Sequence, residues 1–357
     1  MMRKTLLLTV LLGIILMSCQ KNELGQAADT VEKLNTDFYT MKVCSDVGFN
    51  RFLAQGGAKN ADEISAYLSD YLSPGPFGKL DCSIEVGGIA CSALHVQNAQ
   101  GEQLVGRNFD WDNCRAMVIR SFPENAYASI STANLNVLGF GDNYEPTGLA
   151  DSYKAVVGVY VPMDGINEKG VMVADLVAGD DERTDQNTEG RVHLTTTTAM
   201  RLVLDKAANV DEALELLRNA NIHSDIDLAH HLIIADASGR SVDVEWVNNE
   251  MVVVETDVLN NHYLCEQKYH VGQYEASFTH ESRLLAARDT TGGIMGREQL
   301  ADAMFSVLSL PEGDYYGGTQ WTTIYNLSDC SVTYYWRRDR ARTYTFYAGS
   351  DFTLYNK

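Results

Sequence analysis

Apolar residues change their spacing several times along this chain, and each change marks a different element. An unbroken apolar run from Leu6 to Met17 follows the charges of Arg3 and Lys4. This is the layout of an export signal, and the run falls short of the ~20 apolar residues a helix needs to span a ~30 Å hydrocarbon core. No permanent transmembrane helix is expected there. Residues 20 to about 30 read as a short polar tether. Helical patterns follow at about Thr30 to Met41 and at Ala61 to Leu72, the second with Ile64, Tyr67, Leu68 and Tyr71 on one face. The turn-rich Ser73-Pro74-Gly75-Pro76-Phe77-Gly78 closes this region. From Cys91 the texture becomes strand, turn, strand: CSALHVQN, a turn over residues 99–102, then QLVGRNFDW, a hairpin signal. Further strands are predicted at 154–163, 170–178, 229–236, 240–247, 250–256, 320–326 and 331–348. Between them lies a helical block at 195–219, in which Asn209 reads as an N-cap and Glu212 as its capping-box partner. Ala213, Leu214, Leu216 and Leu217 mark its buried face, and a last helical stretch runs from about 281 to 308. Antiparallel strands with helices inserted in blocks predict an α+β layered domain rather than alternating βαβ units. The simplest division is a signal peptide at 1–18, a tether and helical propeptide at 19–90, and one catalytic domain at 91–357.

Composition narrows the partners. A net charge of −20 sets nucleic acid and anionic headgroups aside, because both would be repelled. A small, neutral or amphipathic molecule is the expected ligand. The end of the export signal, Leu16-Met17-Ser18-Cys19, resembles the bacterial lipobox, which implies lipid on Cys19. The expectation is an exported protein, lipid-anchored to the cell envelope at the outer membrane or cell surface, on the membrane without entering it. The cysteines at 19, 44, 82, 91, 114, 265 and 330 contain no CxxC pair or zinc-like spacing, so no metal or cofactor is expected. Cys44 and Cys82 flank the presumed propeptide and could pair in a disulfide.

The chemistry concentrates in Gly87-Gly88-Ile89-Ala90-Cys91-Ser92-Ala93-Leu94 and, after the turn, Gly106-Arg107-Asn108-Phe109-Asp110-Trp111. In these segments the chain resembles the choloylglycine hydrolase, or linear amide C-N hydrolase, family. The likeness continues at Asp164 to Gly170, Asn209 to Ile222, Leu259-Asn260-Asn261-His262 and Ser282-Arg283, covering about residues 88 to 350. It implies a four-layer αββα sandwich of two antiparallel sheets flanked by helices, the N-terminal-nucleophile hydrolase fold. It also implies self-cleavage between Ala90 and Cys91, with the released segment remaining associated. Cys91 would then be both nucleophile and, through its new α-amino group with an unperturbed pKa near 8, general base. By the same resemblance Arg107 favours the thiolate, Asp110 orients the amine, Asn261 and the backbone N–H near Val177 receive the oxyanion, and Arg283 is a second arginine near the nucleophile. A small amphipathic amide is the implied substrate. Two departures bear on which amide: Val177 stands where bile-salt-cleaving members commonly carry asparagine, and the stretch from Asn261 to Arg283 is much shorter than theirs.

Plainer roles exist for each residue. Cys91 could be a buried core thiol, Arg107 and Asp110 an ordinary ion pair, and Asn261 a turn cap. His262 reads as structural, His95, His230 and His231 as strand residues with local partners, and Phe109 and Trp111 as core. Hydrolysis of a linear non-peptide amide is the leading expectation. An acyltransferase sharing the same thioester, or a surface lipoprotein that binds ligand on a degenerate hydrolase fold, are the alternatives.

Overall fold

β-Branched and aromatic residues clustered in short alternating runs give eighteen strands among the described residues of the computed structural model. It describes residues 24–357 apart from 74, 76–77, 85–89, 113, 142, 180–181, 227, 273–274, 312–316, 350–352 and 357. The export signal, Cys19 and Gly87-Gly88-Ile89 therefore lie outside the described residues. In chain order the strands are β1 (Glu32–Asn35), β2 (Phe38–Val43), β3 (Ala90–Gln97), β4 (Gln103–Trp111), β5 (Ala116–Ser121), β6 (Ser129–Asn134), β7 (Pro162–Asn167), β8 (Met172–Val177), β9 (Val192–Thr195), β10 (Ala220–His223), β11 (His230–Ala235), β12 (Ser241–Val247), β13 (Glu250–Glu255), β14 (Val258–Leu259), β15 (Gly318–Asn326), β16 (Ser331–Trp336), β17 (Thr343–Tyr347) and β18 (Thr353–Asn356). The helices are α1 (Phe49–Ala54), α2 (Ala61–Tyr71), α3 (Leu149–Lys154), α4 (Thr196–Lys206), α5 (Val210–Arg218), α6 (Glu275–Thr291) and α7 (Arg297–Phe305).

Nine strands form one sheet in the order β1-β2-β5-β6-β7-β8-β11-β12-β13, and seven form a second in the order β14-β3-β4-β15-β16-β17-β18. Within these two sheets neighbours are antiparallel except β2 with β5, while β9 and β10 pair in parallel in a separate two-stranded sheet. The two sheets pack face to face, with α4 and α5 on the outer side of the first and α6 and α7 on the outer side of the second. This is the αββα order that the resemblance implies. Phe109, Trp321 and Tyr334 of one sheet share the central core with Val118, Ile166 and Val173 of the other. A second core, with Leu94, Leu104, Leu300 and Met304, fills the space under α6 and α7. Asn209 caps α5 as predicted: its Oδ1 accepts the Glu212 N–H at 2.9 Å, while Glu212 accepts the Ala208 N–H at 2.8 Å.

Four stretches depart from the predicted elements, one of them the helical stretch expected from about 281 to 308, which is two helices, α6 and α7, parted at residues 292–296. Residues 30–41 form the β1–β2 hairpin rather than a helix; Asp37 turns it at φ 58° and Phe38 to Val43 pair with β5 along their whole length. Residues 154–160 are helical, and only from Pro162 does the chain extend. Every residue from Ala155 to Tyr160 is buried, so the run carries no periodicity by which to tell strand from helix. The single strand expected at 331–348 is two strands, broken by Arg337 and Arg338 in the left-handed region at φ 47° and 65°. Cys44 and Cys82 are free thiols, so the bridge between them is not formed.

The hairpin at 32–43 makes the segment before Cys91 part of the first sheet. Phe38 is fully buried and its ring stacks on Trp336 of the other sheet at 4.8 Å. Phe38→Ala should destabilise the protein by about 3–5 kcal/mol, the usual range for emptying a buried aromatic site. Urea unfolding measures this, and a loss below about 1 kcal/mol would mean the hairpin is not integral to the core.

Candidate active site

Cross-strand pairing of β3 with β4 assembles the site. Cys91 stands opposite Phe109, Ala93 opposite Arg107 and Ala90 opposite Asp110, so Arg107 is the diagonal neighbour of Cys91 on the same face. That face looks into the space between the sheets. Small Ala93 leaves room for the guanidinium to turn back, and its Nη2 lies 3.4 Å from the Cys91 sulfur. Nη2 also donates to the carbonyls of Met163 and Asp175 at 3.2 and 3.0 Å, while Nη1 pairs with Asp164 Oδ2 at 2.9 Å. Asp164 is held in turn by Thr132 at 2.5 Å, Trp321 Nε1 at 2.9 Å and Tyr325 OH at 2.9 Å, and its side chain, like that of Arg107, is fully buried.

Asn261 reaches the same point from the loop after β14. Its Oδ1 accepts the Cys91 backbone N–H at 2.6 Å, and its Nδ2 donates to the Val177 carbonyl at 2.8 Å. Asn261 and Val177 thus both lie beside the nucleophile candidate, but in the intact chain the amide N–H faces the Val177 carbonyl rather than an open oxyanion position. Asp110 is buried at the entry to β3 and accepts a hydrogen bond from Thr319 Oγ1 at 2.6 Å.

Burial sets the protonation of both reactive groups. Desolvation pushes the Cys91 thiol up to about 12, a shift that the neighbouring Arg107 opposes without cancelling. The thiolate that nucleophilic chemistry needs is therefore scarce while the chain is intact. Desolvation likewise raises the Asp110 carboxyl from 3.8 to about 7, against the lowering influence of Thr319, Arg107 and Arg338. The charges of Arg107 and Arg338 lower the Asp110 carboxyl less than burial raises it.

Four of the five predicted residues, Cys91, Arg107, Asp110 and Asn261, gather here. Arg283 does not join them. It lies exposed on α6, where Nη1 donates to the Ser306 carbonyl at 3.1 Å. That helix covers the opposite face of the second sheet, the face to which Ser92 points, with Ser92 Oγ 3.5 Å from His280 Nδ1. Strand alternation therefore separates Arg283 from the Cys91 sulfur. Asp164 and Thr319 are the residues that sequence reasoning did not single out. Asp164 had a visible signal: a carboxylate inside the otherwise apolar run of β7, in a string already matched to the family. Thr319 had none. The strand histidines have the local partners expected of them, His95 with Asp257 at 2.7 Å and His230 with Asp175 at 2.9 Å. Phe109 stacks on Trp321 at 3.9 Å as core.

A family model for linear amide C-N hydrolases, choloylglycine hydrolase family, matches residues 91–288, more than half of the chain and beginning at Cys91. Two crystal structures of conjugated bile acid hydrolase variants from Clostridium perfringens superpose with a TM-score of 0.53 at 16% identity; the match covers 75% of this chain and 96% or 97% of theirs. A penicillin V acylase from Agrobacterium tumefaciens gives a TM-score of 0.47 at 16% identity over 69% of this chain and 83% of its own. At such identity the two superposed hydrolase structures speak for the fold alone. Among curated proteins none matches.

The position of Asp110 makes a testable statement about pH. Its folded pKa lies above the ordinary value, so the protonated form is favoured by folding; that contribution is complete below about pH 4 and is lost as pH rises through about 7. In the uncleaved chain, Asp110→Asn should match the parent at pH 4 and become progressively more stable than it up to pH 7–8. Urea unfolding across that range reads the difference, and a gap that does not change with pH contradicts the assignment.

Proposed function

The chain belongs to the choloylglycine hydrolase family of linear amide C-N hydrolases, and from that premise we propose that Cys91 is its nucleophile, freed by self-cleavage after Ala90. The single observation that carries this reading is the Arg107 guanidinium 3.4 Å from the Cys91 sulfur, with Asn261 holding the Cys91 backbone nitrogen at 2.6 Å. In the first event the sulfur attacks the Ala90 carbonyl and the peptide nitrogen leaves as an amine. Water then hydrolyses the resulting thioester, giving a carboxylate on Ala90 and a free α-amino group on Cys91.

That new amine changes the site electrostatically. With an ordinary pKa near 8 it can exist as the base that the intact chain lacks. It stands next to Asp110, the strand partner of Ala90, and as an ammonium it would lower the carboxyl that burial now holds near 7. In turnover the amine takes the thiol proton as sulfur attacks the substrate carbonyl, and returns it to the departing amine. Arg107 stabilises the anionic sulfur. Asn261 Nδ2, released from the Val177 carbonyl, donates to the developing oxyanion. A thioester forms, and water attacks it with the same amine as base to release the acid.

The substrate is a linear N-acyl amide or N-acyl amino acid with an apolar acyl part. Val177, whose carbonyl accepts from Asn261 Nδ2, carries a buried apolar side chain, which turns the reading away from a substrate recognised there by an amide side chain. The segment before the cut stays associated through β1 and β2. The precursor is exported and anchored through lipid on Cys19; no helix among the described residues is long and apolar enough to cross a membrane.

Mass spectrometry of the purified protein should find two chains that part between residues 90 and 91 and together turn over N-acyl amides. Cys91→Ala should remain one chain without turnover, and Asn261→Ala should lower kcat by about 10²–10³ once cleaved, the usual cost of one oxyanion donor. Full turnover by an uncut chain would overturn the reading.

A further inference from the structure

Away from Cys91, two groups of metal-ligating side chains converge among the described residues: His231 with Asp243 and Glu245, and His262 with His270 and Glu281. Neither was visible as sequence spacing, because each draws its members from separate elements. The first group lies wholly inside the protein. Its three side chains are fully buried, which leaves an ion no way in, and Glu245 already accepts the backbone N–H groups of Leu264 and Cys265 at 2.5 and 3.0 Å.

The second group differs in three ways. It opens to solvent through His270, whose side chain is 42% exposed, while His262 is fully buried and Glu281 partly buried. A route for an ion to enter therefore exists. Its distances also fit ligands better than they fit hydrogen bonds. His262 Nε2 lies 3.3 Å from Glu281 Oε1, and His270 Nε2 lies 3.5 Å from Glu281 Oε2. A charge-assisted N–H···O bond closes to about 2.7–2.9 Å, and among the described residues the buried His262 Nε2 has no hydrogen-bond partner. Two ligands about 2.0–2.1 Å from a tetrahedral zinc ion stand about 3.3–3.4 Å apart, by the tetrahedral angle. Finally, the supports that orient a metal-binding imidazole are present. His262 Nδ1 lies 2.8 Å from Ser277 Oγ, and in the tautomer in which Nδ1 donates to that hydroxyl, Nε2 presents its lone pair. Phe278 packs against both imidazoles, with centroids 4.6 and 5.1 Å away. His270 is held in the left-handed region at φ 60°, and hydrogen bonds between Tyr263 and both His270 and Val271 close the loop that carries it. A non-glycine residue in that region is uncommon and persists where the surroundings fix it.

We propose that His262, His270 and Glu281 bind a zinc-like divalent transition-metal ion, with water completing a tetrahedral His₂Glu site. The ion ties the loop that follows Asn261 to α6. It belongs to the scaffold of the Asn261 loop and takes no part in the amide chemistry, so it stands or falls independently of Cys91.

The test uses the full chain, stripped with EDTA and reloaded with zinc sulfate, with metal content measured after gel filtration and Tm measured with and without zinc. The expected result is one zinc per chain and a zinc-dependent rise in Tm. His270→Ala and Glu281→Gln, each confirmed as folded by circular dichroism, should lose both. His270 is half-exposed, so its removal leaves the core intact. No retained zinc in the parent chain overturns the proposal. So does zinc retained in His270→Ala and Glu281→Gln but lost in Asp243→Asn or Cys91→Ala, which would place the ion in the buried group or on the thiol.

Discussion

A guanidinium taken fully out of water between two sheets is the constraint on which the rest of this structure depends. Burying an unpaired ion costs several kcal/mol even after relaxation, so Arg107 can stand beside Cys91 only if the opposite sheet receives it. Asp164 supplies the charge, the carbonyls of Met163 and Asp175 take further N–H groups, and Thr132, Trp321 and Tyr325 saturate the carboxylate. These residues come from β4, β6, β7, β8 and β15, which belong to both sheets. The network therefore fixes the register of one sheet over the other as it places a cation at the sulfur.

Under the proposed self-cleavage, the same dryness would separate a resting state from a working one. A thiol with a pKa near 12 and a carboxyl near 7 are a poor pair for nucleophilic attack at neutral pH. Both values are dominated by desolvation, so exposure and a new positive charge at the start of β3 would move both in the direction chemistry needs.

Sequence disclosed those parts of the molecule whose determinants are local. The Asn209 cap, the hairpin from Cys91 and the strands around 230–256 follow from residues within a few positions of one another. Residues 30–41 look helical in sequence but form the β1–β2 hairpin, because strand character is imposed by β5, whose residues lie 78 positions on (Phe38 opposite Ala116), a tertiary override of weak local preference. Arg337 and Arg338 break a strand without the glycine or asparagine that usually announces such a turn. The site divides similarly. Cys91, Arg107 and Asp110 share one hairpin, and Asn261 stood out through its family string. Arg283 was assigned by string alone, and strand alternation puts its helix on the wrong face. Asp164 and Thr319 act as partners across a sheet or an interface, a relation with no signature in spacing.

The parallel seam between β2 and β5 has a consequence for how durable the enzyme is. Residues 32–43 are held in the sheet by backbone pairing and by Phe38, yet they precede the bond that activation would break. Once that bond is gone, unfolding lets two polypeptides drift apart, and regaining the fold becomes a bimolecular search at whatever dilution prevails. The precursor can fold, fail and fold again; the mature form would persist through a slow rate of opening rather than through a recoverable equilibrium.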